Sequence, residues 1–277
     1  MTVAATAPAA GTAPARTDGR PGALSVPRPV PGASLRLFLF HHAGGSPLLY
    51  RDWEKEFPPD WEVCLLTAPG RGRLRGSPPL GTVDELVAFF HEELGPWLDR
   101  PYAFFGHSMG AIVAQELTRL LARRGERGPL WLGLSSCGVP APPADRPSGG
   151  RHLLTDDGLR DWLRQVGGTP LELLDEPAVW RHFAPVFRSD FQLVDTWEPD
   201  PGAPPLAVPL TVFGGESDMV VTRHRLAAWA ERAPHFRGLY LYGGGHFYLR
   251  EHQRSLTRRI TAAVIAARRA ARLPDRG

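Results

Sequence analysis

Lysine is nearly absent from this 277-residue chain: Lys55 stands alone, and arginine supplies the rest of the 32 basic residues set against 29 acidic ones. Net charge is only +3, and the arginines are scattered among carboxylates, gathering only at Arg258, Arg259, Arg268, Arg269, Arg272 and Arg276. That pattern reads as a solvated helix face and tail, not as a nucleic-acid footprint. Cysteine is scarce too. Cys64 and Cys137 each sit in an apolar run, EVCLL and LGLSSCG, so two buried free thiols are expected in place of a disulfide framework. No apolar run approaches the ~18 residues of a membrane span. The start, MTVAATAPAAGTAPARTDGRPG, has neither the basic region nor the leucine-rich core of a signal peptide. A cytoplasmic protein with neither membrane nor nucleic acid as partner is expected. Metal and phosphate signatures are also missing. There is no H-E-x-x-H and no Cys/His cluster, and Gly70-Arg71-Gly72 lacks the spacing of a dinucleotide fingerprint, so no metal and no cofactor are expected.

Proline and glycine are plentiful, 29 and 30 residues, and the prolines are uneven, with many in 1–33, 140–147 and 199–209. Residues 1–33, rich in Ala, Pro, Gly and Thr, cannot bury enough apolar area to offset chain ordering, and a disordered tail is expected there. The remainder, 34–272, fits one α/β domain. Six short apolar runs read as buried strands: 35–40, 62–66, 102–105, 130–135, 209–213 and 238–242. Helical patterns lie between and after them at 82–98, 111–124, 222–232 and 247–272. In the second, Val113, Leu117, Leu120 and Leu121 share one face. Such alternation implies a mostly parallel central sheet with helices on both faces. It breaks between 140 and 205, where helical segments (155–166, 176–197) appear without a strand. That excursion reads as a helical lid, mobile over a largely apolar pocket, with Leu153, Leu159, Trp162, Leu163, Leu173, Phe183 and Phe187 as its apolar faces. A static covering pair of helices is the alternative.

The sharpest local signal is Gly106-His107-Ser108-Met109-Gly110, placed between the strand YAFF and the helix AIVAQELTRLLARR. A strand–turn–helix carrying G-x-S-x-G is the setting of a nucleophile elbow, which presents a serine at a helix N-terminus where developing negative charge is favoured. Serine needs a positioned base, itself oriented by an acid. In this architecture the partners follow in the order Ser, Asp or Glu, His, each after a later strand. Asp218, past PLTVFGGES, and His246, past GLYLYGGG, hold those positions. Asp190 and Asp195 are rival acids, but both fall inside the helical excursion. His107 reads as a packing and hydrogen-bonding residue of the elbow, and His235 and His252 as surface histidines. An oxyanion hole would take the Met109 amide and a second donor from the loop His41-His42-Ala43-Gly44-Gly45.

Six ordered stretches together resemble one family: FHHAGGSPLLYRDW (40–53), APGRGRL (68–74), FFGHSMGAIVAQEL (104–117), RSDFQLVDTW (188–197), LTVFGGESD (210–218) and GGGHFYL (243–249). They are similar to the type II, or editing, thioesterases, α/β-hydrolases that accompany modular polyketide synthases and nonribosomal peptide synthetases. The resemblance spans about residues 34–265. It implies an α/β-hydrolase fold, with the family's lid at 140–205. It also implies a Ser108–His246–Asp218 triad, with the Ala43 and Met109 amides as oxyanion donors. The implied activity is hydrolysis of stalled acyl groups from the phosphopantetheine arm of acyl or peptidyl carrier proteins. The chain departs from the family at His41, where its motif carries proline, and at Met219, which follows the acid. Arg71, Arg73 and Arg75 are expected on the outside, facing an acidic carrier protein. A carboxylesterase or lipase acting on oxygen esters, and a catalytically silent binding subunit, are the competing readings.

Overall fold

The strand LRLFLF shows how the chain layers itself. In the computed structural model, which describes residues 22–140 and 149–271, Leu35–Phe40 forms β2 and is buried along its whole length. Phe38 and Phe40 enter a core shared with α1 (Val83–Leu94) and α2 (Met109–Arg123). Leu35, Leu37 and Leu39 enter a second core, built with the helix Gln253–Ala270. Successive side chains leave a strand on opposite faces, so a strand covered twice is apolar at every position. This is why the strands stand out as unbroken apolar runs.

All six expected strands form: β2, β3 (Trp61–Leu66), β4 (Tyr102–His107), β5 (Leu132–Ser135), β6 (Leu210–Gly215) and β7 (Phe236–Tyr242). A further strand, β1 (Leu24–Ser25), precedes them. The sheet order is β1-β3-β2-β4-β5-β6-β7, parallel throughout except for the antiparallel β1–β3 pair. The expected tail 1–33 is therefore too long. From Gly22 the chain packs: Ala23 is fully buried, the Thr67 amide donates to its carbonyl at 2.8 Å, and its own amide donates to Glu93 at 2.6 Å. Residues 1–21 lie outside the described residues.

Helix ends follow local chemistry. A capping box between Thr82 and Glu85 starts α1, and Gly95-Pro96 stops it short of the expected residue 98. The 222–232 pattern divides into the Arg223–Ala227 and Trp229–Arg232 helices, and the last helix starts at Gln253, after a tight turn over Tyr248–Arg250.

The excursion holds α3 (Asp156–Val166), α4 (Leu171–Asp175) and α5 (Pro177–Thr196), after which α6 (Arg223–Ala227), α7 (Trp229–Arg232) and α8 (Gln253–Ala270) complete the fold. Residues 141–148 of the excursion lie outside the described residues. Its inner face is no loose cover. Leu159, Leu163, Leu174, Trp180, Phe187, Phe191 and Leu193 are buried in the same core as α1 and α2. Leu153, expected on that apolar face, is 71% exposed. Among the described residues no helix is long and apolar enough to cross a membrane.

Candidate active site

β4 ends at His107 and α2 begins at Met109, leaving Ser108 alone in the turn with φ 54° and ψ −118°. A residue with a side chain holds that strained backbone only where its surroundings impose it. The flanking glycines permit the close approach. A Cβ on Gly106 would lie 2.2 Å from the Gly110 carbonyl oxygen, and one on Gly110 2.2 Å from that of Phe40. The Ser108 amide donates to Ser135 O at 2.8 Å, fastening the turn to the end of β5.

Asp218 follows β6 and His246 follows β7, and the fold brings them together. His246 Nδ1 donates to Asp218 Oδ2 at 2.9 Å, with the two residues 5% and 9% exposed. Asp218 Oδ1 accepts the amides of Val220 and Val221 at 2.8 and 3.1 Å. Burial opposes the Asp218 charge, but the His246 hydrogen bond and charge and the two amides outweigh it and hold the carboxyl below its usual range. A carboxylate at Oδ2 requires the imidazole proton on Nδ1, which leaves Nε2 as the basic nitrogen. The rivals are committed elsewhere: Asp195 binds Arg151 and His152, and Asp190 binds Arg71.

Two further histidines are neutral struts. His107 Nδ1 pairs with Ser135 Oγ at 2.9 Å, and Ser135 Oγ with Tyr248 Oη at 2.7 Å. Burial, then the charges of His246 and His42, holds His107 well below the usual histidine range. His41 Nδ1 donates to His42 O at 2.8 Å while its Nε2 accepts the Ala68 amide at 3.3 Å. Burial, then the Arg71 guanidinium, pushes His41 down to about 4. The imidazole that replaces proline thus braces the loop by hydrogen bonds. Of the two histidines expected at the surface, His235 is exposed, whereas His252 is half-buried, its ring 5.3 Å from that of Tyr242. Both cysteines are buried free thiols, Cys137 pushed up to about 12 by burial.

Among the described residues the amides of Ala43 and Met109 donate to no protein acceptor. Ser108 opens on a cavity of about 740 Å³ lying between the sheet side (Ile112, Cys137) and the insert (Trp162, Val194, Trp197). Of the residues read as the apolar faces of the cover, Trp162 lines the cavity, whereas Leu159, Leu163 and Phe187 pack in the core. The wall is mostly apolar, as expected, but Arg151, His152, Asp195 and Arg225 also line it. Arg71 is a second correction. It is 6% exposed and ion-paired with the 1% exposed Asp190, a buried carboxylate that needs a partner charge. Arg73 and Arg75 are exposed.

The thioesterase domain family model matches residues 35–264. The chain belongs to the thioesterase family. The gramicidin S biosynthesis protein GrsT of Aneurinibacillus migulanus is 33% identical to this thioesterase over 219 residues, 79% of this chain and 84% of that protein. Thioesterase PikA5 of Streptomyces venezuelae is 31% identical over 87% of this chain and 84% of its own length. Among solved structures, YbtT, a type II thioesterase from the yersiniabactin NRPS/PKS biosynthetic pathway, superposes with a TM-score of 0.79 at 30% identity, covering 88% of this chain and 98% of that one. The thioesterase accordingly has the α/β-hydrolase fold and is a serine hydrolase acting on thioesters.

Proposed function

We propose that this thioesterase clears stalled acyl groups from the phosphopantetheine arm of carrier proteins, using Ser108 as nucleophile, His246 as base and Asp218 as orienting acid. The observation that carries this reading is the buried His246–Asp218 pair at 2.9 Å, together with a strained Ser108 that opens on the cavity and follows His107, whose ring lies 5.1 Å from that of His246. His246 Nε2 takes the Ser108 proton as Oγ adds to the thioester carbon. The Ala43 and Met109 amides receive the oxyanion, and the pantetheine thiolate leaves with the proton from His246. Water, deprotonated by the same nitrogen, then attacks the acyl-serine, and the free acid departs as Ser108 regains its proton.

The choice of a carrier-bound substrate rests on the relatives. Of those named above, GrsT is a gramicidin S biosynthesis protein and YbtT belongs to the yersiniabactin NRPS/PKS pathway. Exposed Arg73 and Arg75, beside the loop that follows β3, offer positive charge to an acidic carrier. A panel of acyl groups, each on a carrier protein and on a small thiol, tests the reading. Higher kcat/KM on the carrier, with the advantage shrinking as salt rises, is expected. Equal rates on both, or faster cleavage of oxygen esters, would refute it. A fluorophosphonate should add stoichiometrically to Ser108 and fail to label Ser108→Ala.

A further inference from the structure

The loop His41–Gly45 is held from three directions. From within, His42 O accepts both His41 Nδ1–H at 2.8 Å and the Gly45 amide at 3.0 Å. This fixes the peptide between His42 and Ala43. From α5, Asp190 Oδ2 accepts the Gly44 amide at 2.6 Å, which fixes the peptide between Ala43 and Gly44. The Phe187 ring, one turn earlier on the same helix, lies so close that a Cβ on Gly44 would come within 1.9 Å of it. From the loop after β3, Arg71 grips both Asp190 oxygens at 2.5 and 2.7 Å and also donates to Gly45 O at 3.2 Å. Its remaining donors reach Pro69 O at 3.3 Å. Both peptide planes that flank Ala43 are thereby set, and its own N–H is left without an acceptor among the described residues.

A buried ion pair is a poor choice for stability alone, because removing two charges from water costs about as much as their attraction returns. What this pair does supply is a fixed point. The same carboxylate that neutralises Arg71 also holds the Gly44 amide, so three chain segments distant in sequence meet on one side chain.

We infer that Asp190 and Arg71 are positioning residues for the oxyanion hole, and that α5 is a fixed wall of the active centre, with any lid motion confined to the insert before it. This rests on the reading that the Ala43 amide receives the oxyanion. A wall that shifted with the lid would carry Asp190 away from Gly44 and strand the Arg71 charge in the core.

The test compares the parent enzyme with the double variant Arg71→Met with Asp190→Leu, which removes both charges at similar volume, and with Asp190→Asn, which keeps the side-chain shape. Kinetics are read on an acyl-pantetheine thioester. Affinity is read for two analogues of it: a trifluoromethyl ketone, which forms an anionic hemiketal with Ser108, and the matching secondary alcohol, which forms none. The double variant is expected to melt near the parent temperature yet lose about 10²-fold in kcat, the scale of one lost oxyanion donor, with KM nearly unchanged. Trifluoromethyl ketone affinity should fall in parallel, alcohol affinity should not, and Asp190→Asn should move in the same direction. Should the double variant prove unfolded, the same split in Asp190→Asn decides the matter. Retention of kcat and ketone affinity within about threefold in the folded variants would overturn the assignment. Failure of the underlying function looks different: the parent itself would then bind ketone and alcohol alike, and Ser108→Ala would retain turnover.

Discussion

Acidification should weaken this fold well before its carboxylates titrate, and His41 sets the scale. The ring is buried, with both nitrogens committed, and its pKa falls from 6.5 to about 4 on folding. Between those values the unfolded chain binds a proton that the folded chain refuses, so stability rises with pH across the window. The contribution is complete above pH 6.5, shrinks as pH falls, and reaches its floor below 4. From pH 7 to pH 5 this one ring should remove about 2 kcal/mol. His42 and His107, also held well below their ordinary range, add in the same direction. Urea unfolding at pH 7, 6 and 5 would measure the slope. His41→Asn keeps a donor for the His42 carbonyl, loses the acceptor for the Ala68 amide and cannot titrate. It should be about 1 kcal/mol less stable at pH 7, but its stability should fall less steeply with acid, by about one proton. Equal slopes in variant and parent would refute the idea that His41 stays neutral.

Three other outcomes are expected. Asp218→Asn should lower kcat by about 10³–10⁴-fold by favouring the wrong His246 tautomer, with the melting temperature little changed; a larger loss in Asp195→Asn would move the acid. In hydrogen exchange read by mass spectrometry, amides of α5 over 184–193 should be protected like those of α2, whereas 156–175 should exchange faster; rapid exchange in α5 would contradict its anchoring. Arg75→Glu should reduce kcat/KM on carrier-bound thioesters several-fold at low salt and leave small-thiol substrates untouched; an equal loss on both would place Arg75 in the site.

How far the sequence speaks depends on whether the physics is local. The strands were readable because burial on both faces leaves them apolar at every position, as in Leu35–Phe40. Ser108, Asp218 and His246 were readable because each stands at the end of a strand, in a fixed chain order, among glycines. The Arg71–Asp190 pair was not, since 119 residues separate its partners and nothing in the spacing of charges reveals a contact. The charged part of the cavity wall was hidden for the same reason. Arg151, Asp195 and Arg225 come from three elements that converge only once packed, while Leu159 and Leu163, apolar enough to suit a pocket, are claimed by the core. β1 was invisible because two pairing residues amid prolines carry no periodicity.

That small strand has a consequence for anyone shortening the chain. Leu24 and Ser25 pair with Leu66 and Leu65, so they occupy the outer hydrogen-bonding row of β3. β3 is WEVCLL, buried throughout. A protein cut at residue 34, the boundary that composition recommends, would present that row and its apolar side chains as an open edge, a ready template for strands of neighbouring molecules. Residues 22–26 act as an edge guard. Their removal should appear as aggregation at high concentration, with catalysis in the surviving monomer intact.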